Sequence, residues 1–145
     1  MKRIALAATL VAAWFGAHAA DGAHVALFKN VEGPVKVVRQ AAVVDAAPGV
    51  ELFVSDRLVS GAGGSAGIVF RDGTQLTLGP SSEIDVRDYV FEPADEKYQF
   101  DVYLAKGTAI YASGKIGKLS PQSVKVSTPT ATVGVRGTRF ILQAD

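Results

Sequence analysis

Between Asp21 and Asp145, apolar residues recur at every second position in short runs. Gly, Pro, Asp, Asn or Ser interrupts these runs roughly every eight to twelve residues, which is the spacing of short strands. No helical period is sustained over three turns. The pattern predicts an all-β chain, an antiparallel β-sandwich or β-roll built from short hairpins as one domain.

Two hairpins can be predicted to the level of register. In Ala66 to Leu78, a two-residue loop would scatter apolar side chains over both faces. A three-residue loop, Arg71-Asp72-Gly73, pairs Phe70 with Thr74 and Ile68 with Leu76. Ile68, Phe70, Leu76 and Leu78 then share one face, and register follows the face that can be buried. Gly73 is expected in the left-handed conformation that closes such a loop. The same device is expected again: Phe100, Val102 and Leu104 lead to the loop Ala105-Lys106-Gly107, and Thr108, Ile110 and Ala112 return. Its outer face would carry Asp101, Tyr103 and Tyr111.

Further strands are expected at Val25 to Phe28 and Val35 to Arg39, on either side of Gly33-Pro34. Leu52 to Val54 and Arg57 to Val59 flank Ser55-Asp56. Val124 to Ser127 should stop at Pro129, which cannot donate to a ladder. Thr132 to Val135 and Thr138 to Leu142 follow. Gly61 to Ser65 reads as a flexible loop, and Glu92 to Lys97 as a charged, exposed one.

The first residues belong to another class. Met1-Lys2-Arg3 is basic, Ile4 to Phe15 is apolar and uncharged, and Ala17-His18-Ala19 places small residues where a signal peptidase reads. This layout predicts a secretory signal peptide over 1–19, cleaved after Ala19, and a domain over 20–145. The apolar run is short for a spanning helix, which needs roughly 20 residues. Export places the domain in the periplasm, with no membrane anchor after cleavage.

Cleavage also changes the charge. The basic count falls from 15 to 13 against 14 acids, so the net charge moves from +1 to −1. A weakly acidic exported chain is a poor partner for nucleic acid. The chain has no cysteine, which excludes disulfides, thiolate metal sites and a thiol-linked lipid anchor.

Two segments carry a family resemblance. Phe70-Arg71-Asp72-Gly73-Thr74-Gln75-Leu76-Thr77-Leu78-Gly79-Pro80-Ser81-Ser82 resembles the central D-G-[ST]-x-[LV]-x-L…S motif of FecR-type periplasmic domains. Ser127-Thr128-Pro129-Thr130-Ala131-Thr132-Val133-Gly134-Val135-Arg136-Gly137-Thr138-Arg139-Phe140 resembles that family's closing T-P-x-A-x-x-G-[VI]-R-G-T-x-F. Leu104-Ala105-Lys106-Gly107 matches its L-x-x-G, and Gly33 to Val37 its opening G-x-V strand. The likeness runs from Val31 to Leu142. Asp72, Gly73, Gly107, Pro129, Gly134, Arg136, Gly137 and Thr138 are its structural residues. Ser55 departs from it, standing where a Gly commonly precedes Asp56. The sequence given ends soon after the R-G-T strand and opens on a cleavable leader. The resemblance therefore implies the domain and its compartment, and not anti-sigma activity.

Little reactive chemistry is offered. His24 stands alone near the start of the mature chain and reads as a surface residue, and no cofactor or metal is expected. Glu83 and Asp85 share one strand face, as paired-carboxylate catalysis requires; the favoured reading is instead the solvated face of an edge strand, whose charges block unwanted pairing. A calcium site at Asp85 and Asp88 matches no known loop spacing. Arg136 lies in a segment that reads as core and needs a carboxylate partner, Asp72 or Asp56. It is either an internal tether or an anion contact. Gly134 and Gly137 read as close backbone approaches or bulges beside it. Tyr89, Tyr98, Tyr103 and Tyr111 form either an exposed recognition face or cross-strand pairs.

The sequence thus predicts a non-enzymatic envelope module that binds another protein or senses a signal. The candidate binding residues are Arg136, Asp72, Tyr103 and Tyr111. A glycan or peptidoglycan binder using the tyrosines is the alternative, and a hydrolase using Glu83 and Asp85 the third reading.

Overall fold

The computed structural model describes residues 23–134 and 139–145. Alternating apolar positions give twelve strands among these residues: β1 (Ala26–Glu32), β2 (Val35–Arg39), β3 (Ala42–Asp45), β4 (Glu51–Leu52), β5 (Arg57–Ser60), β6 (Ser65–Phe70), β7 (Gln75–Leu78), β8 (Glu83–Glu92), β9 (Lys97–Ala112), β10 (Val124–Ser127), β11 (Thr132–Gly134) and β12 (Arg139–Ala144). One short helix, α1 (Lys115–Leu119), lies between β9 and β10. The expected all-β single domain is what forms, as one curled sheet.

Strand β9 organises the sheet. Its first part pairs with β8 on one side and, in parallel, with β10 on the other. Its last part pairs antiparallel with β7 and β12. One half of the sheet therefore runs β3-β2-β5-β8-β9-β10-β11, and the other β12-β9-β7-β6-β1-β4. The inner faces of the halves close on one core. Phe70 of β6 reaches across to Tyr89 of β8 and Phe100 of β9, with ring centroids 5.3 and 4.9 Å apart. Phe28, Leu58, Ile68, Leu104 and Tyr111 are fully buried there, and each such side chain contributes roughly 1.5–3 kcal/mol.

The β6–β7 hairpin has the expected register. Ile68 faces Leu76, the Phe70 amide donates to the Thr74 carbonyl at 2.8 Å, and Gly73 has φ 88°. Ile68, Phe70, Leu76 and Leu78 are all buried.

The second expected hairpin does not form, because Lys97–Ala112 is one continuous strand. Gly107, at φ 91°, bends it instead of reversing it. Phe100, Val102 and Leu104 point inward before the bend, and Ala109 and Tyr111 after it. The parity shifts by one, as at a bulge, and this carries β9 from the ladder with β8 to the ladder with β7. A side chain at Gly107 would strike Ser82. The Ser82 hydroxyl accepts from the Thr108 amide at 2.9 Å and donates to the Pro80 carbonyl at 2.9 Å, which pins the bend.

Other segments also differ from expectation. β1 and β2 flank Gly33-Pro34 but belong to different halves. Glu92 to Lys97 is exposed, as expected, but is ordered as the tight tip of a β8–β9 hairpin, closed by a 3₁₀ turn over Pro93–Asp95. Gly61 is held by Pro34, with its amide on the Pro34 carbonyl at 2.9 Å. β10 does end at Ser127, before an exposed Pro129. The signal-peptide segment 1–19 lies outside the described residues, as do Val135, Arg136, Gly137 and Thr138.

Candidate functional site

Asp72 comes from the β6–β7 turn and is 2% exposed. Its Oδ1 accepts from the Tyr89 hydroxyl at 2.9 Å and the Thr74 amide at 3.2 Å. Its Oδ2 accepts from the Thr74 hydroxyl at 2.6 Å and the Ile116 amide at 3.0 Å. The cap residue of α1 is Gly114, which has no side chain to offer. The Asp72 carboxylate supplies that acceptor from a distant turn, in place of the usual cap side chain. A Cβ at Gly114 would collide with the backbone of Asp72 to Thr74, so only glycine permits the approach. The arrangement ties the hairpin turn to α1 and seats Ile116 in the core.

Asp56 is the second buried carboxylate, at 1% exposure. Arg39 of β2 clamps it with both arms, Nε to Oδ1 at 2.9 Å and Nη2 to Oδ2 at 2.8 Å. The Phe53 amide adds a bond to Oδ2 at 2.9 Å. The guanidinium also lies 4.7 Å from the Phe53 ring centroid. The Asp56 hydrogen bond holds the Arg39 pKa above its ordinary range.

Two of the four tyrosines expected on an open face are inside. Tyr89 is 7% exposed and Tyr111 is fully buried, stacked on Phe140 at 4.9 Å. Tyr111 lies inward because of the parity change at Gly107, which an alternation argument through a hairpin could not include. Burial raises the pKa of both phenols, Tyr89 further by the nearby Asp72 charge. Tyr98 is half-buried and packs near Phe91 at the hairpin tip.

Tyr103 is half-buried and outward, and it belongs to a row that crosses the sheet. Arg57 of β5 faces Asp85 of β8, Asp85 faces Tyr103 of β9, and Tyr103 faces Ser127 of β10. Arg57 Nε donates to Asp85 Oδ1 at 2.7 Å and Nη2 to Oδ2 at 3.3 Å. Arg87, at a register shift in β8, lays its guanidinium 3.9 Å from the centre of the Tyr103 ring. Beside them is a polar hollow of about 470 Å³ lined by Val38, Gln40, Ser55, Arg57, Asp85, Val86 and Arg87. Glu83 and Asp85 do share a face, but β8 lies inside the sheet, not at its edge. Each is ion-paired, Glu83 with Lys106 at 3.6 Å and Asp85 with Arg57. Asp88 bonds back to the Tyr89 amide at 2.8 Å and faces Asp101, whose buried Oδ1 has no hydrogen-bond partner among the described residues.

Of the candidate binding residues, the three described ones do not share one surface. Asp72 and Tyr111 serve the interior, Tyr103 the outer face, and Arg136 is not among the described residues. Gly134 pairs with Lys125, and among the described residues a side chain there would meet nothing within 4 Å. His24 is partly exposed and lies 3.7 Å from Glu51. Among the described residues no group of three or more His, Cys, Asp or Glu could hold a metal, and no helix is long and apolar enough to cross a membrane. Arg39, Arg57 and Arg87 went unrecognised in the sequence. Each is an outward or rim position on an alternating strand, and its partner is known only once strand order is known.

A family model described as FecR protein matches residues 56–145, from the clamped carboxylate of Asp56 through β12. No curated protein and no solved structure gives a match. The matched region contains the Asp72 tie, the Gly107 bend and the Arg57–Asp85–Tyr103 row. It takes in more than half of the chain, and on that ground the chain belongs to the FecR protein family.

Proposed function

We propose that the chain is an exported, non-enzymatic module of the cell envelope that signals or senses by binding another protein in the periplasm. Membership of a regulatory and signalling family supports the first part of this reading. The leader-like residues Met1 to Ala19 support export. The observation that carries the binding role is the charged row on the outer face. A half-exposed pair such as Arg57–Asp85 contributes at most about 1 kcal/mol to stability. Arg87 on Tyr103 adds roughly 0.5–1 kcal/mol at an exposed site. Four side chains are thus ordered in the middle of a sheet for little stabilisation, and an ordered, charged, aromatic-bearing patch is what a partner recognises. The carboxylates of Asp72 and Asp56, by contrast, are each held by internal donors.

Crosslinking in intact cells followed by affinity recovery tests this. The wild-type chain is expected to recover a specific partner, and Arg87→Glu with Tyr103→Ala to lose it while remaining folded. Recovery of the same partner by that variant would remove the row from the reading. The glycan alternative needs an open tyrosine platform. Tyr89 and Tyr111 are in the core, and one face of Tyr103 is covered by Arg87, so the geometry favours a protein. Sedimentation with purified wall material separates the two, because a protein binder stays in the supernatant.

A further inference from the structure

The curled sheet has four terminal strands among the described residues: β3, β4, β11 and β12. β4 has two residues, β11 three and β3 four, whereas β12 has six. Short edges are self-limiting, and a long edge ordinarily carries a proline, a bulge or a central charge to block pairing. β12 reads Arg-Phe-Ile-Leu-Gln-Ala and pairs with β9 in unbroken register from Arg139 to Ala144. It has none of these devices in its middle. Ile141 at its centre is 70% exposed, the most exposed large apolar side chain described. Phe140 and Ala144 lie against the core but are only partly covered.

We propose that β12 pairs antiparallel with β12 of a second copy, about a two-fold axis through Leu142. The residues themselves select this partner and this register. With Leu142 opposite its own copy, Ile141 faces Gln143 and Phe140 faces Ala144, a large side chain against a small one. Arg139 then faces Asp145, so the two ends of the joint each carry an opposite-charge pair. Directly opposed residues project to the same side of a sheet. The inward set Phe140, Leu142 and Ala144 therefore meets its own kind, and so does the outward set Arg139, Ile141, Gln143 and Asp145. A shift of the axis by half a residue, to the 141/142 midpoint, would set inward residues against outward ones and separate Arg139 from Asp145. A two-fold contact of this type closes on itself and makes a dimer rather than a filament.

Sedimentation equilibrium of the full chain, with circular dichroism to confirm folding, tests the joint. A dimer is expected whose Kd rises about tenfold or more with Ile141→Lys, which puts a charge in place of the apolar centre of the joint, and with Arg139→Asp, since like charges then oppose at positions 139 and 145. The double change Arg139→Asp with Asp145→Arg is expected to restore the wild-type Kd to within about threefold. A chain monomeric up to about 1 mM, a dimer indifferent to these substitutions, or a swap that fails to restore association would each overturn the proposal.

Discussion

Tyr89 and Asp72 are bonded to each other twice. The phenol donates to Asp72 Oδ1 at 2.9 Å and accepts from the Asp72 amide at 2.9 Å. One ring thus satisfies both the side chain and the backbone of a turn residue in the opposite half of the sheet. Tyr89→Phe keeps the ring packing and orphans a buried amide. It is expected to cost about 1–3 kcal/mol, read as a lower urea midpoint with an unchanged slope.

The same phenol makes the fold sensitive to alkali. Burial, then the Asp72 charge and hydrogen bond, raise the Tyr89 pKa, and burial raises that of Tyr111. The folded chain therefore keeps protons that the unfolded chain releases above about pH 10. The associated stability is fully present below that pH and is lost as pH rises beyond it. Urea midpoints taken from about pH 8 to about pH 11 should fall more steeply for wild type than for Tyr89→Phe. Parallel slopes would contradict the argument.

Arg39 and Asp56 form a forked pair with one partner buried and the other 36% exposed. Arg39→Ala strands a carboxylate in the interior. The expected cost is about 2–3 kcal/mol, below the roughly 3–5 kcal/mol of pairs buried on both sides. Arg39→Lys should recover only part of it, because a single ammonium cannot make two parallel bonds. Chemical denaturation of the two variants gives the comparison.

Gly73 and Gly107 have nearly the same backbone, φ 88° and 91°, but different surroundings. A Cβ at Gly73 meets nothing within 4 Å, while one at Gly107 runs into Ser82. Gly73→Ala should cost about 1 kcal/mol, the conformational penalty alone. Gly107→Ala should cost at least about 2 kcal/mol more, since it also disrupts the Ser82 bonds that hold the bend. Equal thermal shifts in the two variants would show that the β9 bend is not pinned as described.

Ser55 is exposed and sits at φ 77°, a conformation that a side chain opposes. Ser55→Gly relieves that strain while adding freedom to the unfolded chain. A net gain of about 0.5–1 kcal/mol is expected, seen as a higher melting temperature. The substitution leaves the neighbouring Arg39–Asp56 clamp in place.

What the sequence determined alone was whatever depends on near neighbours. Alternation and punctuation implied an all-β chain. The β6–β7 register was legible because its loop is three residues long and only one pairing buries Ile68, Phe70, Leu76 and Leu78 together. The FecR motifs were legible for the same reason, since each is a contiguous run. Tertiary structure decided everything that rests on partners far apart in the chain. Lys97 to Ala112 has the local signature of a hairpin. Ser82 beside Gly107, with β7 and β12 alongside, makes it one bent strand, and the parity change then buries Tyr111. Asp72 and Asp56 were visible as turn residues, but their donors, Tyr89, Ile116 and Arg39, arrive from other strands and from α1. The Arg57–Asp85–Tyr103 row exists only because β5, β8 and β9 are neighbours. A side chain's periodicity says which face it takes, and only the order of the strands says what stands opposite.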